Sequence, residues 1–178
     1  MLSAVRALAI SNTVGESPEK KADVTHDPDR LTRFYLTNFI GNPTESAIAA
    51  SHLIFGEVLD RFPQLSICLP HAGGSFPFLI GRISHGWSVR QECQHLERSP
   101  QEYLRRFHYD TITHSRPALE YLLQLVGADR VVMGSDFCFD MSYEQPVKVV
   151  VEHPHLDEKE RDLVLGGNAR RLLQLDKR

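Results

Sequence analysis

Apolar residues along this chain fall into blocks whose spacing changes from one block to the next. In GNPTESAIAASHLIFGEVLDRFP, residues 41–63, the apolar positions Ile48, Phe55, Val58, Leu59 and Phe62 recur at helical spacing and predict one amphipathic helix. Asn42 is its expected N-cap, Pro43 sits at the first helical position, Glu45 completes a capping box, and Pro63 stops it. LSICLPH, residues 65–71, is a short apolar run without alternation, which predicts a strand buried on both faces. Helices are predicted over 75–91 and over 99–107, where Ser99 is the cap, followed by a strand in HYDTITH, residues 108–114. RPALEYLLQLVG, residues 116–127, predicts a helix with Pro117 near its start and Gly127 at its end, and DRVVMGSD, residues 129–136, a third strand. Helical segments follow at 145–152 and 157–167, with Asn168 as the cap of a last short helix. Residues 1–10 predict a short helix, and the polar stretch 11–30, with two prolines and several charges, a loop or partly disordered arm.

Strands that alternate with helical crossovers imply an α/β fold with a parallel sheet. The expected organisation is a polar arm over residues 1–30 and a folded portion over 31–178. The strands end in His71, in Asp110 to His114, and in Ser135 and Asp136. Active sites of parallel sheets and barrels sit at the carboxyl ends of the strands, so this clustering is the first sign of an enzyme.

Composition narrows the field. The chain has 178 residues, 42% hydrophobic and 24% charged, enough for one domain with a core. A net charge of −3 leaves no basic surplus for nucleic acid or anionic lipid. The three cysteines, Cys68, Cys93 and Cys138, form no metal-finger spacing, and their odd number fits a reducing cytoplasm better than a disulfide scaffold. No apolar run has the length of a membrane span.

Two strand-end residues carry the chemistry. His71 is followed by Gly73 and Gly74, which permit close approach of backbone or ligand, and then by a helix start that favours an anion. It is either a catalyst or a strand-end histidine bonded to backbone. Asp136 ends a buried strand; there a carboxylate needs a cation or several donors, unless it caps the next segment. The His153–His155 pair in HPH reads as a helix connection rather than a metal pair, and His52, His95, Tyr109, Trp87 and Phe137 read as surface or structural residues.

The segments NFIGNPTES, LIFGEVLDRFPQL, LPHAGGSFPFLIGRISHG, YDTITH, VVMGSDFCFDM and LVLGGNARRLL occur in this order from about Leu31 to the C-terminus. Together they resemble the amidohydrolase-2 family, the branch of metal-dependent decarboxylases and hydrolases typified by aminocarboxymuconate-semialdehyde decarboxylase. The resemblance implies the C-terminal part of a (β/α)8 TIM barrel, with about three parallel strands. It makes His71, in the H-x-G-G motif, the catalytic acid/base and Asp136, in the G-S-D motif, a metal ligand. Arg82 becomes a substrate carboxylate contact, in some members made across a dimer interface, and His114 at most a supporting residue. The implied cofactor is a divalent metal, zinc or manganese.

The family's H-x-H metal pair, borne on its first strand, has no counterpart in these 178 residues. The nearest match to the later metal histidine is His26, in VTHDPDRL, at a shorter spacing than the family's. The expectation is therefore a decarboxylase of a small unsaturated or aromatic carboxylic acid, incomplete as a single truncated chain. Its expected partners are a small carboxylated substrate and either a second copy or a missing N-terminal half. A hydrolase on the same scaffold, and an inactive fragment or half of a split enzyme, are the alternatives. An incomplete sheet also predicts self-association through its open edge.

Overall fold

The computed structural model describes Ala7–Ala9 and residues 30–175. Four strands form one parallel sheet in the order β1 (Ala7–Ala9), β2 (Ser66–Leu69), β3 (Phe107–Asp110) and β4 (Val131–Val132). The register sets Leu8 opposite Ile67, Cys68 opposite His108, and Asp110 opposite Val132. Parallel neighbours need long crossovers, and helices supply them. Between β2 and β3 run α3 (Phe76–Val89) and a 3₁₀ segment, Pro100–Arg106, while α4 (Arg116–Val126) joins β3 to β4. The α1 (Asn42–Phe55) and α2 (Val58–Arg61) helices precede β2, and α5 (Pro146–Val151), α6 (Glu158–Asp162) and α7 (Asn168–Leu172) follow β4. This is the arrangement of part of a (β/α)8 barrel, as expected.

One strand was not expected. Ala7–Ala9 pairs with the edge of β2 instead of starting a helix. The edge of β2 offers these residues backbone partners directly. Of the arm expected over residues 1–30, residues 1–6 and 10–29, His26 among them, lie outside the described residues.

The predicted helix over 41–63 is two helices. It breaks where Gly56 is followed by Glu57 in the left-handed conformation, φ 56°. Asn42 does not cap it, because a π-helical turn, Thr37–Gly41, already feeds into α1 and Asn42 has helical angles. The buried face also differs from the predicted stripe. Ala47, Ala50, Ile54 and Leu59 are buried, whereas Ile48 and Phe62 are exposed. Of the predicted stripe, Leu59 is buried and Phe55 packs against the core, and the small residues Ala47 and Ala50 join them. Asn168 is buried rather than capping. Its amide donates to the carbonyls of Ala128 (2.7 Å) and Val131 (2.6 Å), which ties α7 to β4.

The core lies between the helices and one face of the sheet. Ile67, Leu69, Phe107 and Tyr109 are fully buried, and the ring of Phe76 on α3 meets that of Phe107 edge-on at 5.6 Å. Ser66, Cys68 and His108 are only half-buried, so β2 alternates instead of being buried on both faces. Cys68 stays a protonated thiol, since burial and then the nearby Asp110 carboxylate push it up to about 12.

His108 gives the fold a pH dependence. Burial first, then the charges of Arg130 and Arg171, lower it to about 4 from 6.5. The unfolded chain takes up this proton near pH 6.5, whereas the folded one refuses it until about pH 4. Stability from this residue is therefore present above pH 6.5 and is lost as the pH falls towards 4. At most the loss is on the order of 3 kcal/mol. Chemical denaturation between pH 7 and 4 is expected to show this loss, and His108→Gln to flatten it.

Candidate active site

The three strand ends that carried the sequence reading converge on one cleft. After β2 the chain passes through Pro70 into four consecutive residues with positive φ: His71 (54°), Ala72 (56°), Gly73 (80°) and Gly74 (60°). The glycines are required by contact as well as by angle. A Cβ on Gly73 would lie 2.8 Å from the Tyr109 ring, and one on Gly74 would lie 2.0 Å from the carbonyl oxygen of Pro43. His71 and Ala72 carry side chains in a conformation that costs L-residues roughly 1–2 kcal/mol each.

Asp110, at the end of β3, offsets that cost. Its Oδ2 accepts from the backbone N–H of His71 (3.0 Å), and its Oδ1 from those of Ala72 (2.8 Å) and Ile112 (2.9 Å). Successive amides in such a turn form a concave anion site, here filled by a side chain of the neighbouring strand. Burial raises the Asp110 carboxyl above the usual range, and the three amides and His71 oppose that shift. Thr111, also buried, makes the corresponding link to β4. Its hydroxyl accepts from the N–H of Gly134 (3.1 Å) and lies 3.4 Å from the Gly134 carbonyl oxygen.

His71 and Asp136 are brought together: Nε2 and Oδ2 are 3.9 Å apart. The other ring nitrogen of His71, Nδ1, is buried with no hydrogen-bond partner. Asp136 stands at φ 60°, so all three strand ends turn through left-handed residues, His114 (φ 50°) being the third. The backbone N–H of His114 donates to the Tyr143 hydroxyl (2.7 Å), and their rings are 4.7 Å apart. The cleft at this convergence has a volume of about 560 Å³ and an apolar wall that includes Phe39, Phe78, Ile112 and Met141. Arg82 is not among the residues lining it. It lies exposed on α3, one helical turn beyond Phe78.

Sequence reasoning placed Asp110 and Thr111 in the polar strand end Asp110 to His114 without giving either a role, and it did not single out Tyr143. The available signal was the polar sequence Tyr-Asp-Thr at the end of a strand otherwise destined for the core. The His153–His155 pair is a helix connection, as read from the sequence. Both rings face one oxygen of Glu120, at 3.4 Å and 2.7 Å. Among the described residues, no group of three or more His, Cys, Asp or Glu side chains is arranged to hold a metal ion. A mononuclear catalytic zinc site takes about three protein ligands. The described residues offer Asp136, with His71 beside it, and do not complete such a set. Among them, no helix is long and apolar enough to cross a membrane.

Residues 11–175 match the amidohydrolase family, and the chain belongs to it. It is 37% identical over 150 residues to a 2-amino-3-carboxymuconate-6-semialdehyde decarboxylase of Dictyostelium discoideum, a match that covers 83% of this chain and 42% of that protein. Its fold superimposes on the 5-carboxyvanillate decarboxylase of Sphingomonas paucimobilis with a TM-score of 0.71 and 30% identity, over 82% of this chain and 45% of that one. It also shares its fold with a dihydroxybenzoic acid decarboxylase of Polaromonas sp. JS666, whose structure holds manganese and the inhibitor 2-nitroresorcinol. There the TM-score is 0.66 at 23% identity, over 75% of this chain and 41% of the other. The chain thus spans under half the length of each of these relatives.

Proposed function

We propose that this chain carries the proton-transfer portion of a carboxy-lyase site that acts on a small unsaturated or aromatic carboxylic acid. The observation that carries this reading is the approach of His71 Nε2 to Asp136 Oδ2, 3.9 Å apart, at the mouth of a largely apolar cleft of about 560 Å³. A cleft of that size and lining suits a flat conjugated acid. In the reaction the bond between the conjugated carbon and its carboxylate breaks. The electron pair enters the conjugated system, carbon dioxide leaves, and a proton from His71 Nε2 takes the place of the carboxyl group.

Asp136 is the residue we assign to a divalent metal, zinc or manganese. The described residues do not complete its ligand set, so no step is assigned to the metal. Arg82 is the proposed carboxylate contact. We assign that role to the cleft of a second copy, a reading supported by the exposed position of Arg82 on α3, outside the cleft of its own chain.

The test is carbon dioxide release by the purified chain from 5-carboxyvanillate and from 2-amino-3-carboxymuconate 6-semialdehyde, with metal content measured on the same sample. Release of carbon dioxide with about one zinc or manganese per chain is the expected result. Hydrolytic cleavage without carbon dioxide would replace the reading with a hydrolase. Neither metal nor turnover in folded protein would overturn it for this chain by itself.

A further inference from the structure

We infer that Asp110 and Thr111, consecutive residues at the carboxyl end of β3, are a positioning pair that sets His71 against Asp136. The catalytic part of this inference rests on the function proposed above. The central strand holds both neighbours through side chains. On one side, Asp110 grips the turn after β2, and its Oδ2 is given to the His71 amide while Oδ1 serves Ala72 and Ile112. On the other side, Thr111 grips Gly134, two residues before Asp136, through its hydroxyl.

The gripping residues themselves are buried, Asp110 8% exposed and Thr111 0%, while their bonds to His71 and Gly134 are partly buried. Each bond restrains a neighbour that would otherwise have rotational freedom. His71 sits in a left-handed conformation that is not its intrinsic preference, so something outside the turn must select it. Strand hydrogen bonds alone do not do this. The ladder between β3 and β4 is only two pairs long and ends at Asp110 and Val132, before either turn begins. The two side chains continue the register beyond the ladder, one to each side. The 3.9 Å separation of His71 and Asp136, which share no hydrogen bond, follows from those two grips.

The chemistry of the two residues allows each grip to be cut alone. In Asp110→Asn the carbonyl oxygen still accepts from Ala72 and Ile112. The new NH₂ group takes the place of Oδ2 and confronts the His71 N–H donor with a second donor. In Thr111→Val the shape is kept and the hydroxyl lost. Amide hydrogen exchange on the full chain reads each outcome, with the Phe107 amide of β3 as the reference for global opening.

Asp110→Asn is expected to speed exchange at His71 by about tenfold or more relative to Phe107, leaving Gly134 unchanged, and Thr111→Val to do the reverse. In turnover, each variant is expected to lower kcat by about tenfold at a KM within about twofold, because geometry rather than substrate binding is lost. Uniform acceleration across His71, Gly134 and Phe107 would overturn the inference, since it marks a purely structural role. So would selective acceleration with kcat unchanged. If Asp110→Asn does not fold, the isosteric Thr111→Val decides alone. Absence of turnover in the unaltered protein counts against the carboxy-lyase reading and leaves the exchange pattern to decide whether the pair holds the two turns.

Discussion

Replacing His71 with asparagine is expected to lower carbon dioxide release by about 10²- to 10⁴-fold while the fold stays intact, the range that a positioned acid/base contributes. Asparagine is the informative replacement because the position stands at φ 54°. Asn tolerates the left-handed region better than most residues, so the backbone N–H can keep its bond to Asp110 while the imidazole is removed. The measurement is steady-state turnover beside a thermal melt. A melt within about 2 °C of the unaltered protein and a collapsed kcat would locate the effect in proton transfer, given that about 1 kcal/mol moves a chain of this size by roughly 2–4 °C. Turnover within about threefold of the unaltered protein, far short of that acid/base range, would sink the role of His71 as acid/base and leave the bland reading, a polar residue that ends a strand.

Among the described glycines, Gly74 is the one where an added methyl group is expected to do the most damage. At φ 60° and ψ −129° the position lies in a region that only glycine occupies without strain. The added Cβ would stand 2.0 Å from the carbonyl oxygen of Pro43, in the first turn of α1. That oxygen cannot move away freely, because it accepts the N–H of Ser75 at 3.1 Å and so joins α1 to the start of α3. Strain and clash together are expected to cost about 3 kcal/mol or more, which lowers the melting temperature by roughly 6 °C or more. Gly81, in the exposed middle of α3, is the control: a Cβ there meets nothing within 4 Å. Gly81→Ala should stabilise by about 0.5–1 kcal/mol, the ordinary gain of replacing a helical glycine. Equal melting temperatures for the two variants would show that α1 does not press on the turn that carries His71.

Much of this molecule was determined by its sequence alone. Blocks of helical and strand-like spacing gave the α/β class, and the polar residues ending the predicted strands included His71 and Asp136. Local sequence also specified Ser99 as a cap, to which the structure adds Glu102 as its capping-box partner, and Gly127, at φ 80°, as the end of α4. These features depend on contacts within a few residues, which is why they are legible. The motifs carried the family as well, and three of them, around His71, Asp110 and Asp136, lie at strand ends.

What the tertiary structure decided was partnership. No spacing rule says that Ala7–Ala9 will find the edge of β2, because strand pairing joins residues far apart in the chain. Ile48 and Phe62 fit a helical stripe, yet they are exposed, while Ala47 and Ala50 are buried, and Phe62 lies just past the end of α2. Asn168 looked like a cap and instead bridges two backbone carbonyls of the β4 region. Asp110 and Thr111 read as ordinary strand-end polar residues. Only when β2 and β4 flank β3 do a carboxylate and a hydroxyl meet the turns of both neighbours. The sequence thus determined which chemical groups the site contains. The distance between them is a property of three strands held side by side.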